Sequence, residues 1–412
     1  MHALLAALAL AAGPAPSATA AAAPVELAAG ETPTTSPPPI TGPSGEVVLP
    51  PQVPYQLRIA FLPLISYGSN VGLQLGGALV FYKAPKGGGP RRDWLAIGGS
   101  YATHGPRSIE VKGEQFDIAK TPTRAFYQAK YAVDDSAPYW GEGARLAPGD
   151  KPGAGAPPDA YRYRGVGPWL SLVVREPLPG APGAASPWSL FARVRFRRQE
   201  VLDPGAALAS ARPAGFEGGT LTMLHAGVLR DTRDEEISPA RGAFLDASIF
   251  AAPPLLGTNT MAGGNVGYRV YHRLRPGVVL AARAMYELKL GDVPFYERTQ
   301  IEGLNYGEGI GGPGTLRGVA RARLAGEEKI LANVELRATL VTFRPADRPL
   351  ELGVSTGLDA GSVRQRGYSR LSALGGFGGL RAIWDRALVV RFEAGYANQG
   401  EVAWYLAFDE SF

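Results

Sequence analysis

Arg317 has the clearest chemical potential in this chain. It lies in GGPGTLRGVARARL, where Leu316, Arg317 and Gly318 form a compact motif flanked by glycines at 311, 312 and 314. That glycine content permits a tight, unusual backbone. If such a loop folds back inside the protein, its guanidinium leaves bulk water and needs a carboxylate in fork geometry. Glu335, Asp359 and Glu393 each alternate with apolar neighbours, so each would sit on the polar face of a strand, and each is a candidate partner.

Other reactive residue types are sparse. There is no cysteine, which excludes disulfides, thiolate metal sites, a cysteine nucleophile and a lipidated N-terminal cysteine. Histidine occurs only at 2, 104, 225 and 272, too scattered for a metal cluster. The phosphate-loop, zinc-protease and nucleophile-elbow signatures are absent from the sequence. His104, near Ser100 and Ser108, is the one base beside hydroxyls, and a polar surface cluster explains it as well. Asp231, Asp234, Glu235 and Glu236 have the ligand type for Ca²⁺, although a polar turn is the simpler account. The chain is therefore expected to be no enzyme and to need no cofactor or metal. Its net charge of +5 is spread along the chain without a basic run, which argues against nucleic acid as a partner.

The elements that would position these residues have strand periodicity. In Leu190–Arg197, Leu190, Ala192, Val194 and Phe196 alternate with Phe191, Arg193, Arg195 and Arg197. The same period of two recurs at 280–289, 330–340, 350–360 and 388–396. After the first two dozen residues no apolar run reaches the roughly 18 to 20 residues of a membrane-spanning helix. Sixteen segments of strand character can be counted: 55–66, 70–82, 93–104, 107–118, 123–134, 161–177, 187–200, 219–231, 242–252, 263–275, 277–289, 328–343, 349–360, 372–384, 386–398 and 402–412. An even number, with the longest connections at 135–160, 201–218 and 290–327, fits an all-β transmembrane antiparallel barrel with long surface loops and short periplasmic turns.

Residues 1–23 read as a signal peptide, with an apolar stretch, a Gly-Pro break and small residues at a cleavage site. Residues 24–54 are rich in Pro and Thr and read as a disordered linker, which leaves 55–412 for the barrel. Trp404, Phe408 and the terminal Phe412 lie on the apolar side of the last segment. They are expected to present a C-terminal signal to the outer-membrane assembly machinery.

Three stretches go further. The segment from Gly311 to Leu340 resembles the surface-loop-to-strand signature of the BamA/TamA superfamily (bacterial surface antigen family), with Leu316, Arg317, Gly318 and Val319 at its tetrad. DTRDEEISPARGAFLDASIF, from Asp231 to Phe250, with Asp231, Arg233, Asp234, Pro239 and Gly242, is similar to that family's strand-turn-strand element, and Gly357–Gly361 to its aspartate-glycine strand ending. The resemblance implies a sixteen-stranded barrel in the outer membrane with the long loop between strands 11 and 12 folded inward. It makes Asp359 the first choice of partner for Arg317 and Glu393 the second. It implies a role in outer-membrane protein assembly or translocation, through a seam between first and last strands, with lipid and an unidentified client as partners. The family's polypeptide-transport-associated domains would have no room in 24–54. The alternative is a passive pore or a structural surface antigen.

Overall fold

The computed structural model describes residues 40–41, 47–48, 55–68, 72–85, 92–143, 158–180, 186–304, 307–345, 349–384, 388–398, 402–407, 410 and 412. The expected signal peptide lies outside them, as does most of 24–54. Within that stretch Ile40–Thr41 pairs antiparallel with Val47–Val48.

Alternation with period two produces an inside-out wall. Ile249 and Leu340 are 71% and 69% exposed while Arg195 and Asp359 are 0% exposed, the reverse of a soluble protein and the pattern of a lipid-facing barrel. The strands are β1 (Tyr55–Gly68), β2 (Gly72–Pro85), β3 (Arg92–Ala102), β4 (Pro106–Gln115), β5 (Arg124–Pro138), β6 (Arg162–Pro177), β7 (Trp188–Leu202) and β8 (Gly219–Asp231). They continue as β9 (Gly242–Ala252), β10 (Met261–Arg275), β11 (Val278–Gly291), β12 (Glu328–Phe343), β13 (Leu350–Arg364), β14 (Leu371–Trp384), β15 (Leu388–Ala397) and β16 (Ala403–Ala407). Each pairs with the next, and β16 pairs with β1, so the described strands close into a ring.

Residues 139–161, 203–218 and 292–327 connect strands at one end, the long-loop end; the opposite end carries mostly short turns. Buried apolar clusters lie inside the barrel. At the short-turn end Trp94, Phe126, Phe191 and Phe244 form an inward apolar layer, and Leu304 from the 292–327 loop reaches down to join it. At the long-loop end Leu208 of the helix Ala206–Ala211 packs with Phe295 and Tyr296.

The last strand departs from expectation. It was expected to run over 402–412, but among the described residues β16 spans Ala403–Ala407. Trp404 is half-exposed and stacks on Phe392 on the outer face. Phe412 instead lies inside, buried with Tyr271 and Ala281, and the guanidinium of Arg283 stands 4.8 Å from its ring centroid. Phe408 lies outside the described residues. The physical reason is Glu410. Its carboxylate pairs with Arg381, accepts a hydrogen bond from Ser238 Oγ at 3.0 Å and lies 3.7 Å from Arg337. Those lumenal partners draw the chain inward and out of strand register.

Candidate functional site: the lumenal loop and the strand seam

The 292–327 loop enters the lumen because its backbone and charges are met there. Gly318 has φ +85°, and a Cβ on it would stand 2.5 Å from the backbone of Tyr396 and Ala397. Across from it, a Cβ on Gly395 would lie 2.6 Å from the Arg317 Cβ. The loop tip thus lies directly on the wall, on glycine. Leu316 and Val319 are buried beside it with Ile310, Leu324, Leu331 and Val363. A Cβ on Gly361 would meet Ile310 and Leu316 at 2.6 and 2.8 Å.

This contact delivers Arg317 to Asp359. Nε donates to Oδ2 at 2.7 Å and Nη2 to Oδ1 at 2.8 Å, while the Arg317 backbone N–H donates to Oδ2 at 3.1 Å. Glu393 lies 3.3 Å and Glu335 3.6 Å from Nη1, so the structure brings all three candidate carboxylates together around one guanidinium. Phe377 covers it, with the ring centroid 3.1 Å from Cζ. Burial alone would lower the Arg317 pKa, but the fork on Asp359, with Glu393 and Glu335, holds it above its ordinary value. The surroundings are balanced: Arg337 Nε donates to Glu335 at 3.1 Å, Arg391 Nη1 to Glu393 at 2.7 Å, and Asn333 Nδ2 to Asp359 at 2.7 Å.

A second buried network holds the entering limb of the loop, and sequence reasoning did not single it out. Arg195 Nη2 lies 2.9 Å from Glu297 and 2.7 Å from Glu302, and Arg197 Nη1 lies 3.0 Å from Glu297. Lys289 Nζ donates to the Glu297 and Gln300 carbonyls, and Lys329 Nζ to Glu287. Burial would raise the carboxyl of Glu297, but Arg195, Arg197 and Lys289 bring it down to about 2. The available signal was the inward arginine row of β7 and the glutamates Glu297 and Glu302 near the start of the loop.

The strand-turn-strand element is a closed turn. The Asp231 carboxylate accepts from the Arg233 N–H, Nε and Nη2 at 2.9 to 3.1 Å. Asp234 Oδ1 caps the N–H groups of Glu235, Ala240 and Arg241. Gly242, three residues after Pro239, has φ +98°, and a Cβ there would meet the Thr232 carbonyl at 2.1 Å. These carboxylates are occupied by the turn itself, and no metal-binding group occurs among the described residues. Nor does His104 reach the serines: its Nδ1 meets Thr103 Oγ1 at 3.2 Å, whereas Ser100 and Ser108 face each other at 3.4 Å.

The loop also touches the place where the barrel closes. The Gly318 N–H donates to Tyr405 Oη at 3.0 Å, and Tyr405 is on β16. Among the described residues that strand meets β1 only where Tyr405 faces Gly68 and Leu406 faces Tyr67. On its other side β1 is paired with β2 from Tyr55 to Gly68. Among the described residues, the β1 edge facing β16 is therefore paired at Tyr67 and Gly68 alone.

No family model and no curated protein sequence matches this chain. Solved structures do. BamA from Haemophilus ducreyi lacking POTRA domains 1–3 superposes with TM-score 0.56 at 13% identity, over 86% of this chain and 70% of that one. CdiB from Escherichia coli superposes with TM-score 0.56 at 15% identity, over 86% and 67% respectively. At these identities the likeness is one of fold.

Proposed function

Because this chain is an outer-membrane β-barrel with the fold shared by BamA and CdiB, we propose that it assembles or translocates protein through the β1–β16 seam and is not an enzyme. The seam carries the reading. Unpaired backbone groups in lipid cost several kcal/mol each, and among the described residues β1 meets β16 only at Tyr67 and Gly68, so the rest of that edge would be a template for an incoming strand. The Arg317 loop, tied to Tyr405, sets the position of the strand that would move. A passive pore is the poorer reading, because the same loop and an aromatic layer at the short-turn end occupy part of the lumen.

The test is a seam lock. The chain has no cysteine, so Tyr67→Cys with Leu406→Cys, opposite one another across the seam, would form the sole disulfide. A deletion strain complemented with wild type, with the oxidised lock or with the reduced lock is compared by quantitative outer-membrane proteomics. Selective loss of one or a few envelope proteins, restored by wild type and by the reduced lock only, is the expected result. An unchanged proteome on deletion refutes the assembly role, and full rescue by the oxidised lock refutes the seam.

A further inference from the structure

On the outward face of the barrel, at the long-loop end, two arginines converge on one carboxylate. Glu328 opens β12, and Arg364 closes β13 directly opposite it. Arg364 Nε lies 2.7 Å from Glu328 Oε2, and Arg370 Nη2 lies 2.8 Å from Oε1. Arg370 Nη1 also donates to Ser362 Oγ at 3.3 Å, and Ser362 Oγ meets Ser372 Oγ at 2.9 Å. Glu328, Ser362, Arg364 and Ser372 share the outward parity of Ile330, Leu358 and Leu374, the exposed apolar residues next along the same strands. The group therefore stands where the lipid-facing band ends.

One carboxylate neutralises one of the two cations. Glu328 is almost wholly covered while the Arg364 side chain is 58% and that of Arg370 36% exposed, so the uncompensated charge faces outward. The Nη groups of Arg364 make no hydrogen bond among the described residues. A planar fork with free donors, beside two hydroxyls, is suited to phosphate oxygens.

The arrangement recurs on the other side of the barrel. Arg107 on β4 and Arg164 on β6 both pair with Asp135, Arg164 Nε at 3.1 Å, and the exposed Tyr101 stands opposite Arg107. At the short-turn end the exposed pair Lys83–Asp93 is one to one. The long-loop end, where both arginine pairs lie, is the cell-surface side in a barrel of this kind.

We propose that Arg364 and Arg370, with Ser362 and Ser372, form a binding site for the phosphate of an outer-leaflet lipid, and that Arg107 and Arg164 form a second. The lipid's acyl chains would lie along Ile330, Leu358 and Leu374 while its phosphate takes the place of water on the guanidinium forks. This site is independent of the seam, so failure of either proposal leaves the other standing.

The experiment uses the full-length barrel in detergent micelles and counts retained lipid by native mass spectrometry. The probes are diphosphorylated lipid A and the same lipid with its phosphates removed. Faster electrophoretic migration before heating verifies that each variant is folded. Wild type is expected to retain the phosphorylated form selectively. Arg364→Gln with Arg370→Gln should weaken retention about tenfold at one site, and Arg107→Gln with Arg164→Gln at the other. Glu328→Gln, which leaves both cations without their internal anion, should retain at least as much as wild type. Equal retention of phosphate-free lipid, or a double variant that binds like wild type, would overturn the assignment.

Discussion

Replacing Arg317 by alanine withdraws the cation from three carboxylates, but the consequences are unequal. Glu335 keeps Arg337 at 3.1 Å and Glu393 keeps Arg391 at 2.7 Å. Asp359 is left with Asn333 Nδ2 and a backbone N–H, at 0% exposure. Breaking a buried pair in this way costs about 3–5 kcal/mol, because the remaining charge is neither solvated nor matched. Asp359→Asn is milder, since Arg317 retains Glu393 at 3.3 Å and Glu335 at 3.6 Å; losing the fork alone should cost about 1–3 kcal/mol. The double variant removes both ends of one interaction, so it should unfold close to Arg317→Ala alone, with a coupling energy of at least about 1 kcal/mol. The assay is urea unfolding in micelles, followed by loss of fast migration on unheated gels, with midpoints compared at constant slope. If the double variant loses the sum of the two singles, Arg317 and Asp359 act independently and the pairing argument is wrong.

Three further outcomes are expected. Gly395→Val should expel the loop tip, since even a Cβ there meets Arg317 at 2.6 Å, and protease should then cut between Gly311 and Arg321. Gly376→Ala, whose Cβ would have 3.7 Å of clearance, should stay resistant, and cleavage of both to the same extent would refute the packing account. Glu297 is held at about 2 in the folded loop, below its ordinary 4.5. Its stabilising contribution is therefore complete above pH 4.5 and disappears as the pH falls towards 2. Protease resistance of the loop, assayed with an acid-active enzyme, should be equal at pH 7 and pH 5 and decline below about pH 4, and a decline already at pH 6 would contradict this. Finally, Glu410→Gln removes the anion between Arg337 and Arg381, so carboxypeptidase should trim the C-terminus of that variant several-fold faster than wild type; equal rates would show that the ion pairs do not hold the tail.

Strand positions were legible because a lipid-facing wall needs an apolar residue at every second position, a pattern written locally in each segment. β7, β11, β12 and β15 lie close to where alternation puts them. The inward placement of Glu335, Asp359 and Glu393 follows from the same parity, and Leu316–Arg317–Gly318 was marked by its glycines and by a family resemblance. Other features depended on partners far away in sequence. Nothing periodic in 292–327 announces that Glu297 and Glu302 meet Arg195, or that the Gly318 N–H meets Tyr405. The C-terminal segment shows the limit most sharply. Val402, Trp404 and Leu406 continue a strand pattern, and locally Phe412 belongs to it. Only the folded barrel sets Arg337, Arg381 and Ser238 around Glu410, and burying that carboxylate among them takes Phe412 off the lipid face and into the lumen. Periodicity therefore determined the wall and its two faces, while the matching of buried charges in three dimensions decided how the loop and the C-terminus sit inside it.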